Sequence, residues 1–292
     1  MIIVKLKGGL GNQMFQYALG KSLALYYDKP LKIDADYIKN NEGYVPRDFS
    51  LSKFNIELDL YQEADKERVG FILKNNFLAK KLRNYFLKKG KYKGKYIIEN
   101  PDNLGLFKKE LFENHNESMY IDGYWQSYLY FNNIRECLIK EFNLKPEYTK
   151  EMTEIMQRIN ETNSVAVHIR RGDYVKLGWT LDTTYYKKAI AEIVKNVDNP
   201  KFYVFSDDTD WVRSNLQELD NAVFIGECNL FDYQELWLMS TCKHNIISNS
   251  TFSWWGAWLN QNDHQVVVSP SAWINGMSVE TTSLIPDSWK RV

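Results

Sequence analysis

The sequence predicts an α/β protein of two facing Rossmann-type domains, each carrying a parallel sheet, with a ligand cleft between the domains. Three observations lead there. At 292 residues the chain is about two domains long, on a prior of roughly 150 residues each. Its second half alternates short β-branched runs with longer amphipathic stretches, the pattern of right-handed βαβ units. Its first half opens as strand, glycine turn and helix, the start of a similar domain.

Composition narrows the class. Apolar residues make up 44% and charged residues 25%, so a substantial core is expected and disorder is excluded as a description of the whole chain. Lys+Arg and Asp+Glu both number 37, a zero net charge that argues against a dedicated nucleic-acid binder. No apolar run is long enough for a transmembrane helix, and Met1–Leu6 reads as a strand without a signal-peptide h-region. The expected location is the cytoplasm. The three cysteines (Cys137, Cys228, Cys242) are scattered and expected to be reduced, and the four histidines share no metal-site spacing with them.

In chain order, Ile2–Leu6 is expected as a strand, Gly8–Gly11 as a turn, Asn12–Tyr27 as a helix and Leu31–Ile33 as a strand with Asp34 at its end. Residues 40–145 read as mostly helical and irregular, and the stretch 36–118 is expected to shape the acceptor pocket. Within it, residues 66–95 carry eleven Lys or Arg against one acid, Glu67, interleaved with Phe71, Leu73, Phe77, Leu82 and Phe86. That pattern fits an amphipathic helix with a solvated basic face, or one that contacts an anionic membrane surface or a lipid-linked acceptor. A boundary near Pro146–Lys150 divides the chain into domains 1–148 and 149–292.

The second half continues with a strand at Ser164–Ile169, a helix at Thr183–Val197, a strand at Phe202–Phe205 and a short helix near Asp210–Gln217. Then come strands at Ala222–Ile225, Asn245–Ile247 and Val266–Val268, separated by helices at Phe231–Cys242 and Phe252–Asn260. Five strands joined by helices imply a parallel sheet whose carboxyl edge holds the ligand.

Candidate chemistry gathers where strands end. Gly8-Gly9-Leu10-Gly11-Asn12 allows backbone N–H groups to approach an anion, or is a tight turn only; the dinucleotide fingerprint is incomplete because Met14 replaces its third glycine. His168-Ile169-Arg170-Arg171-Gly172-Asp173 follows an apolar strand. One arginine is expected to face phosphate and the other to pair with Asp173, unless the segment is a surface hairpin with a local salt bridge. Ser248–Trp258 runs from a polar turn into an aromatic helix, with Ser250 or Thr251 as N-cap and Trp254 and Trp258 one turn apart as core. Asp207 ends a strand and Asp232 begins a helix. Each is either an ordinary N-cap or a buried carboxylate accepting two N–H groups from the guanine edge. Asp34-Ala35-Asp36 formally gives a metal-binding DxD, too early in the chain and without its downstream context.

Together, GGLGNQMFQYALG, DGYWQSYLYF (Asp122–Phe131), HIRRGDY, FSDD and SNSTFSWWGAWLN resemble the α-1,2-fucosyltransferase family, glycosyltransferase family 11, in its bacterial form. The resemblance implies a GT-B fold and GDP-β-L-fucose as donor. It also implies inverting transfer, without metal or other cofactor, to the 2-hydroxyl of a galactose-terminated glycan, free or lipid-linked, in surface polysaccharide synthesis. HxRR is similar to the same stretch of α-1,6- and protein O-fucosyltransferases, which implies β-phosphate binding for Arg170. The same likeness implies that His168 contacts the nucleoside and Asp232 the guanine edge. Ser250 and Thr251, with the Gly9, Gly11 and Asn12 backbone, would then surround the diphosphate. The base stays open: Asp173 takes the proton or orders the arginine loop, while Asn12 orients acceptor or leaving group. Competing readings are a GT-B enzyme for another GDP-sugar, such as GDP-mannose, and a non-catalytic carbohydrate-binding protein, which nine Trp and nineteen Tyr would suit.

Overall fold

The computed structural model describes residues 1–40, 48–62, 65, 81, 96–100, 102, 104–113, 118–145, 148–278 and 282–292. The chain forms two compact units, one of Met1–Ser52 and Ile56–Leu138, the other of Lys53–Asn55 and Ile139–Val292.

In unit 1, β1 (Ile2–Lys5) leads through a glycine turn into α1 (Leu10–Tyr26), β2 (Leu31–Asp34) and a one-turn helix α2 (Asp36–Lys39). Strands β3 (Tyr96–Ile98) and β4 (Met119–Asp122) complete a parallel sheet in the order β2-β1-β4-β3. These two strands correct the expectation of a helical and irregular 40–145. They are short and lie outside the regular strand–helix alternation that marks the equally short strands of the second half. Gly20 sets how closely α1 lies on the sheet, since a Cβ there would come within 2.4 Å of Val4 Cγ2 and 2.9 Å of Leu31 Cδ1. The basic stretch 66–95 lies outside the described residues except Lys81, and so does much of 36–118.

Unit 2 begins in α3 (Arg135–Glu141), about ten residues before the expected boundary at 148. Aromatic packing is the reason. Phe142 meets Phe54 edge-to-face at 6.0 Å and Trp255 at 5.1 Å, and the Asn55 N–H donates to Asn143 O at 2.8 Å. Helix α4 (Lys150–Glu161) is capped by Thr149, whose Oγ1 accepts from Met152 N–H, and it buries Met152, Ile155 and Ile159.

Strand β5 (Asn163–Ile169) is followed by α5 (Gly172–Leu177), α6 (Thr183–Asn196), β6 (Pro200–Ser206), α7 (Thr209–Asn215) and β7 (Val223–Phe224). Then come α8 (Asp232–Thr241), β8 (His244–Ile246), α9 (Thr251–Trp258), β9 (Val267–Ser269) and β10 (Lys290–Arg291). The sheet is parallel throughout, in the order β10-β9-β8-β5-β6-β7. All five expected strands are present, and two-residue β10 joins the edge. Val165, Val167 and Ile169 of β5 pack with Tyr186, Ala189, Ile190 and Ile193 of α6 in the core. Trp254 and Trp258 stack at 5.9 Å, both buried, and Trp254 Nε1 donates to Leu284 O, so the tryptophans are core. Among the described residues no helix is long and apolar enough to cross a membrane.

Candidate active site

Parallel strands present their carboxyl ends along one edge, where βα loops can converge on a ligand. In unit 2 that edge carries Arg170 and Arg171 directly after β5. Arg170 is held by two carboxylates: Nη2 donates to Asp173 Oδ1 at 2.6 Å, and Nη1 lies 2.8 Å from Asp207 Oδ2. Arg171 donates from Nε to Asp208 Oδ2 at 2.9 Å and lies 3.9 Å over the Trp211 ring. Its backbone N–H donates to the other oxygen of Asp207 at 2.8 Å. The expected division of labour is therefore corrected. Arg170 itself, not its neighbour, pairs with Asp173, which lies three residues on in the first turn of α5.

Asp207 is not a helix cap. Asp208 caps α7, accepting from Trp211 N–H at 3.1 Å, while Asp207 spans both arginines. Gly172 permits this approach, since a Cβ there would sit 2.6 Å from Asp207 Oδ2.

His168 is only 6% exposed, and its Nδ1 lies 2.9 Å from Ser248 Oγ. Burial and, secondly, the Arg170 charge push its pKa down to about 3, so the ring is neutral and a poor base at neutral pH. Its visible work is to tie β5 to the Ser248 turn. There Ser250 caps α9, accepting from Phe252 N–H at 3.3 Å, and Thr251 is the first helical residue. Tyr174 OH donates to Asn249 O at 3.4 Å and lies beside Arg170, whose guanidinium is 5.6 Å from the ring centre. His168, Arg170, Asp173, Asp207, Ser250 and Thr251 thus share the edge of one sheet.

Asp232 is exposed rather than buried, and its Oδ1 accepts the Tyr233 N–H at 2.7 Å. The half-buried carboxylate of this helix is Glu235, one turn on. Burial and then the charges of Asp232 and Asp207 push its pKa up to about 7, against the opposing pull of Arg170. Sequence reading passed over Glu235. The available signal was its i+3 spacing from Asp232, which places both carboxyls on one face of α8.

Unit 1 has its own edge. Gly8 has φ +80°, Gly9 is the N-cap of α1, and Gly11 is buried in its first turn. Asn12 Oδ1 accepts from Gln126 Nε2 at 2.8 Å. Gln16 accepts from Lys7 N–H and donates to Gly123 O at 3.0 Å, joining the glycine loop to the turn after β4. Asp122 is held by Lys7 at 3.0 Å, Lys5 at 3.4 Å and Tyr96 OH at 3.0 Å. Asp34 accepts from Asp36 N–H at 3.0 Å and from Tyr120 OH at 2.5 Å, so the DxD closes a turn. Among the described residues no group of three or more His, Cys, Asp or Glu side chains is placed to hold a metal.

A family model described as glycosyl transferase family 11 matches residues 1–289. An α-1,2-colitosyltransferase of Escherichia coli is 32% identical over 302 aligned positions, covering 100% of this chain and 99% of the relative. The mouse galactoside 2-alpha-L-fucosyltransferase Sec1 is 29% identical over 48% of this chain and 42% of its own. Among solved structures, the fucosyltransferase NodZ from Bradyrhizobium superposes with a TM-score of 0.53 at 12% identity, over 88% of this chain and 91% of that one. Arabidopsis thaliana FUT1, solved with GDP, gives 0.52 at 12% identity over 99% and 75%. At that identity the likeness speaks for the fold, which is α/β and GT-B-like with two parallel-sheet units.

Proposed function

Because the chain belongs to glycosyl transferase family 11, we propose that it transfers L-fucose from GDP-β-L-fucose to the 2-hydroxyl of a galactoside, with inversion and without a metal. The observation that carries this reading is the aimed guanidinium of Arg170. A guanidinium has five N–H donors, and Asp173 and Asp207 hold it in place while leaving donors for a phosphate.

The donor reacts by breaking the bond between fucose C1 and the β-phosphate oxygen. The electron pair leaves with GDP, and positive charge spreads over C1 and the ring oxygen. Arg170, with the Ser250–Thr251 start of α9 and its backbone N–H groups, stabilises the departing phosphate where a metal would otherwise act. The acceptor 2-oxygen closes on the opposite face of C1 and then loses its proton to water. With His168 held neutral and Asp173 committed to Arg170, a loose displacement without a strong base suits these residues. Asp173 then acts as a positioning residue. His168 orders the Ser248 turn, and Asn12 in unit 1 serves the acceptor.

Glu235 replaces Asp232 as the reader of the guanine edge. When ionised it can accept N1–H and N2–H together, an arrangement uracil cannot satisfy. A colitosyl donor is the second reading, supported by the full-length likeness to the colitosyltransferase. Colitose is fucose without its 3-hydroxyl, so the two share the leaving-group chemistry. A glycan acceptor carried on lipid, and peripheral contact of residues 66–95 with the inner face of the cytoplasmic membrane, belong to the same proposal.

The test is transfer from GDP-fucose to lactose in EDTA, with the product linkage read by NMR. An α-1,2-linked product supports the reading. Turnover that needs added metal, or another linkage, overturns it.

A further inference from the structure

The turn Asp122–Ser127 after β4 is not used by the donor chemistry, yet it is fixed from several sides. Glu99, 7% exposed, accepts the N–H groups of Tyr124 at 2.6 Å and Trp125 at 3.1 Å. Within the turn Gln126 is 6% exposed and donates from Nε2 to Asn12 Oδ1 at 2.8 Å. Its Oε1 is buried and has no hydrogen-bond partner. A side chain kept for packing alone has no reason to be an amide here. Methionine has the same reach and leaves no buried oxygen orphaned.

Asn12 is the half-exposed member of the pair and Gln126 the buried one, so a ligand at this edge of unit 1 meets Asn12 and Gln126 acts through it. The Asn12 amide nitrogen occupies the space that a Cβ on Gly8 would need, 2.6 Å from it. The bond from Gln126 fixes which way that amide points.

Nearby charges are already committed. Lys7 pairs with Asp122 at 3.0 Å, and the Glu99 carboxylate is bound to backbone N–H groups. The edge offers an oriented amide and the partly exposed Tyr124 ring, with Lys7 Nζ 4.9 Å from the ring centre. Those are groups suited to a neutral sugar, whose hydroxyls bond to amides and whose C–H face rests on an aromatic ring.

We propose that Gln126 is a positioning residue for the acceptor sugar, locking the Asn12 amide in the orientation that meets a hydroxyl of a neutral galactoside. The inference rests on the glycosyl-transfer reading above.

The test is Gln126→Met, alone and combined with Asn12→Ala, assayed with GDP-fucose and lactose. Gln126→Met is expected to keep or raise the thermal midpoint and to leave GDP affinity within about twofold of wild type. Meanwhile kcat/KM for lactose falls roughly 10- to 100-fold through a raised lactose KM. In the Asn12→Ala background the same substitution is expected to cost less than about twofold more. A midpoint lowered by several degrees with donor and acceptor parameters lost together would assign Gln126 to packing and overturn the proposal. So would lactose kinetics matching wild type, or losses that add in the double variant. A wild type that transfers fucose to no galactoside sinks the functional reading and this inference with it. An active wild type matched by Gln126→Met sinks the inference alone.

Discussion

Arg170 sits at the end of an apolar strand, where its charge is costly unless something answers it. Asp173 and Asp207 answer it, 2.6 and 2.8 Å away, and they fix its plane before any phosphate arrives. Arg170→Lys keeps the charge but loses the fork, so both it and Arg170→Ala are expected to lower kcat roughly 10²–10³-fold, about 3–4 kcal/mol of barrier. Near-wild-type turnover in either variant would remove Arg170 from the mechanism. Glu235 gives a pH signature. Its carboxyl titrates near 7, and only the ionised form accepts from guanine, so GDP affinity should rise with pH up to about 7 and level off above it. The free protein pays the opposite way. An acid whose pKa is raised by folding costs stability as pH climbs from the ordinary carboxylate range through about 7. Glu235→Gln is therefore expected to raise the thermal midpoint above pH 7, leave it unchanged below pH 5, and flatten the pH dependence of GDP binding. A variant whose GDP affinity still follows pH would clear Glu235 of both roles. At this scale the sequence marked HIRRGDY as an anion site, but spacing does not report burial. Asp232 and Glu235 sit on one helical face, and only the fold shows that Asp232 is exposed and Glu235 half-buried.

Elements with a long apolar signal were legible. β5, with six consecutive buried residues, and α6, with its stripe from Tyr186 to Ile193, lie where the pattern put them. β3, β4 and β10 were not: β7, β8 and β9 are as short but fall inside the strand–helix alternation of the second half, whereas these three stand outside any such alternation and are defined by the neighbours they pair with. The loop ends also depend on close approaches that sequence alone does not display. Gly226 follows β7, and a Cβ on it would come 2.2 Å from Ser206 O, a backbone atom at the end of β6. Gly226→Ala should therefore force the β6 loop apart and destabilise the protein by about 1–3 kcal/mol, read as a lowered midpoint in thermal unfolding. Because Asp207 follows Ser206 directly, the variant should also weaken GDP binding. An unchanged midpoint would mean that the loop has slack which the packing does not show.

For the whole molecule, the two-unit α/β plan followed from the rhythm of the second half and the glycine turn of the first. The unit boundary did not, because Phe54 and Phe142 meet across nearly ninety residues of sequence and pull Lys53–Asn55 into unit 2. Family membership links the chain to glycosyl transfer. The proposed donor site asks for more: a guanosine diphosphate sugar held by Arg170 and the start of α9, without a metal. The most direct measurement is the thermal midpoint of the purified protein with GDP, UDP or CMP, each with and without EDTA. A ligand at about 100 times its Kd adds roughly 2.7 kcal/mol, enough to move the midpoint by a few degrees. Stabilisation by GDP alone, identical in EDTA, is the expected result. Stabilisation by UDP, or a GDP effect that EDTA erases, would contradict it.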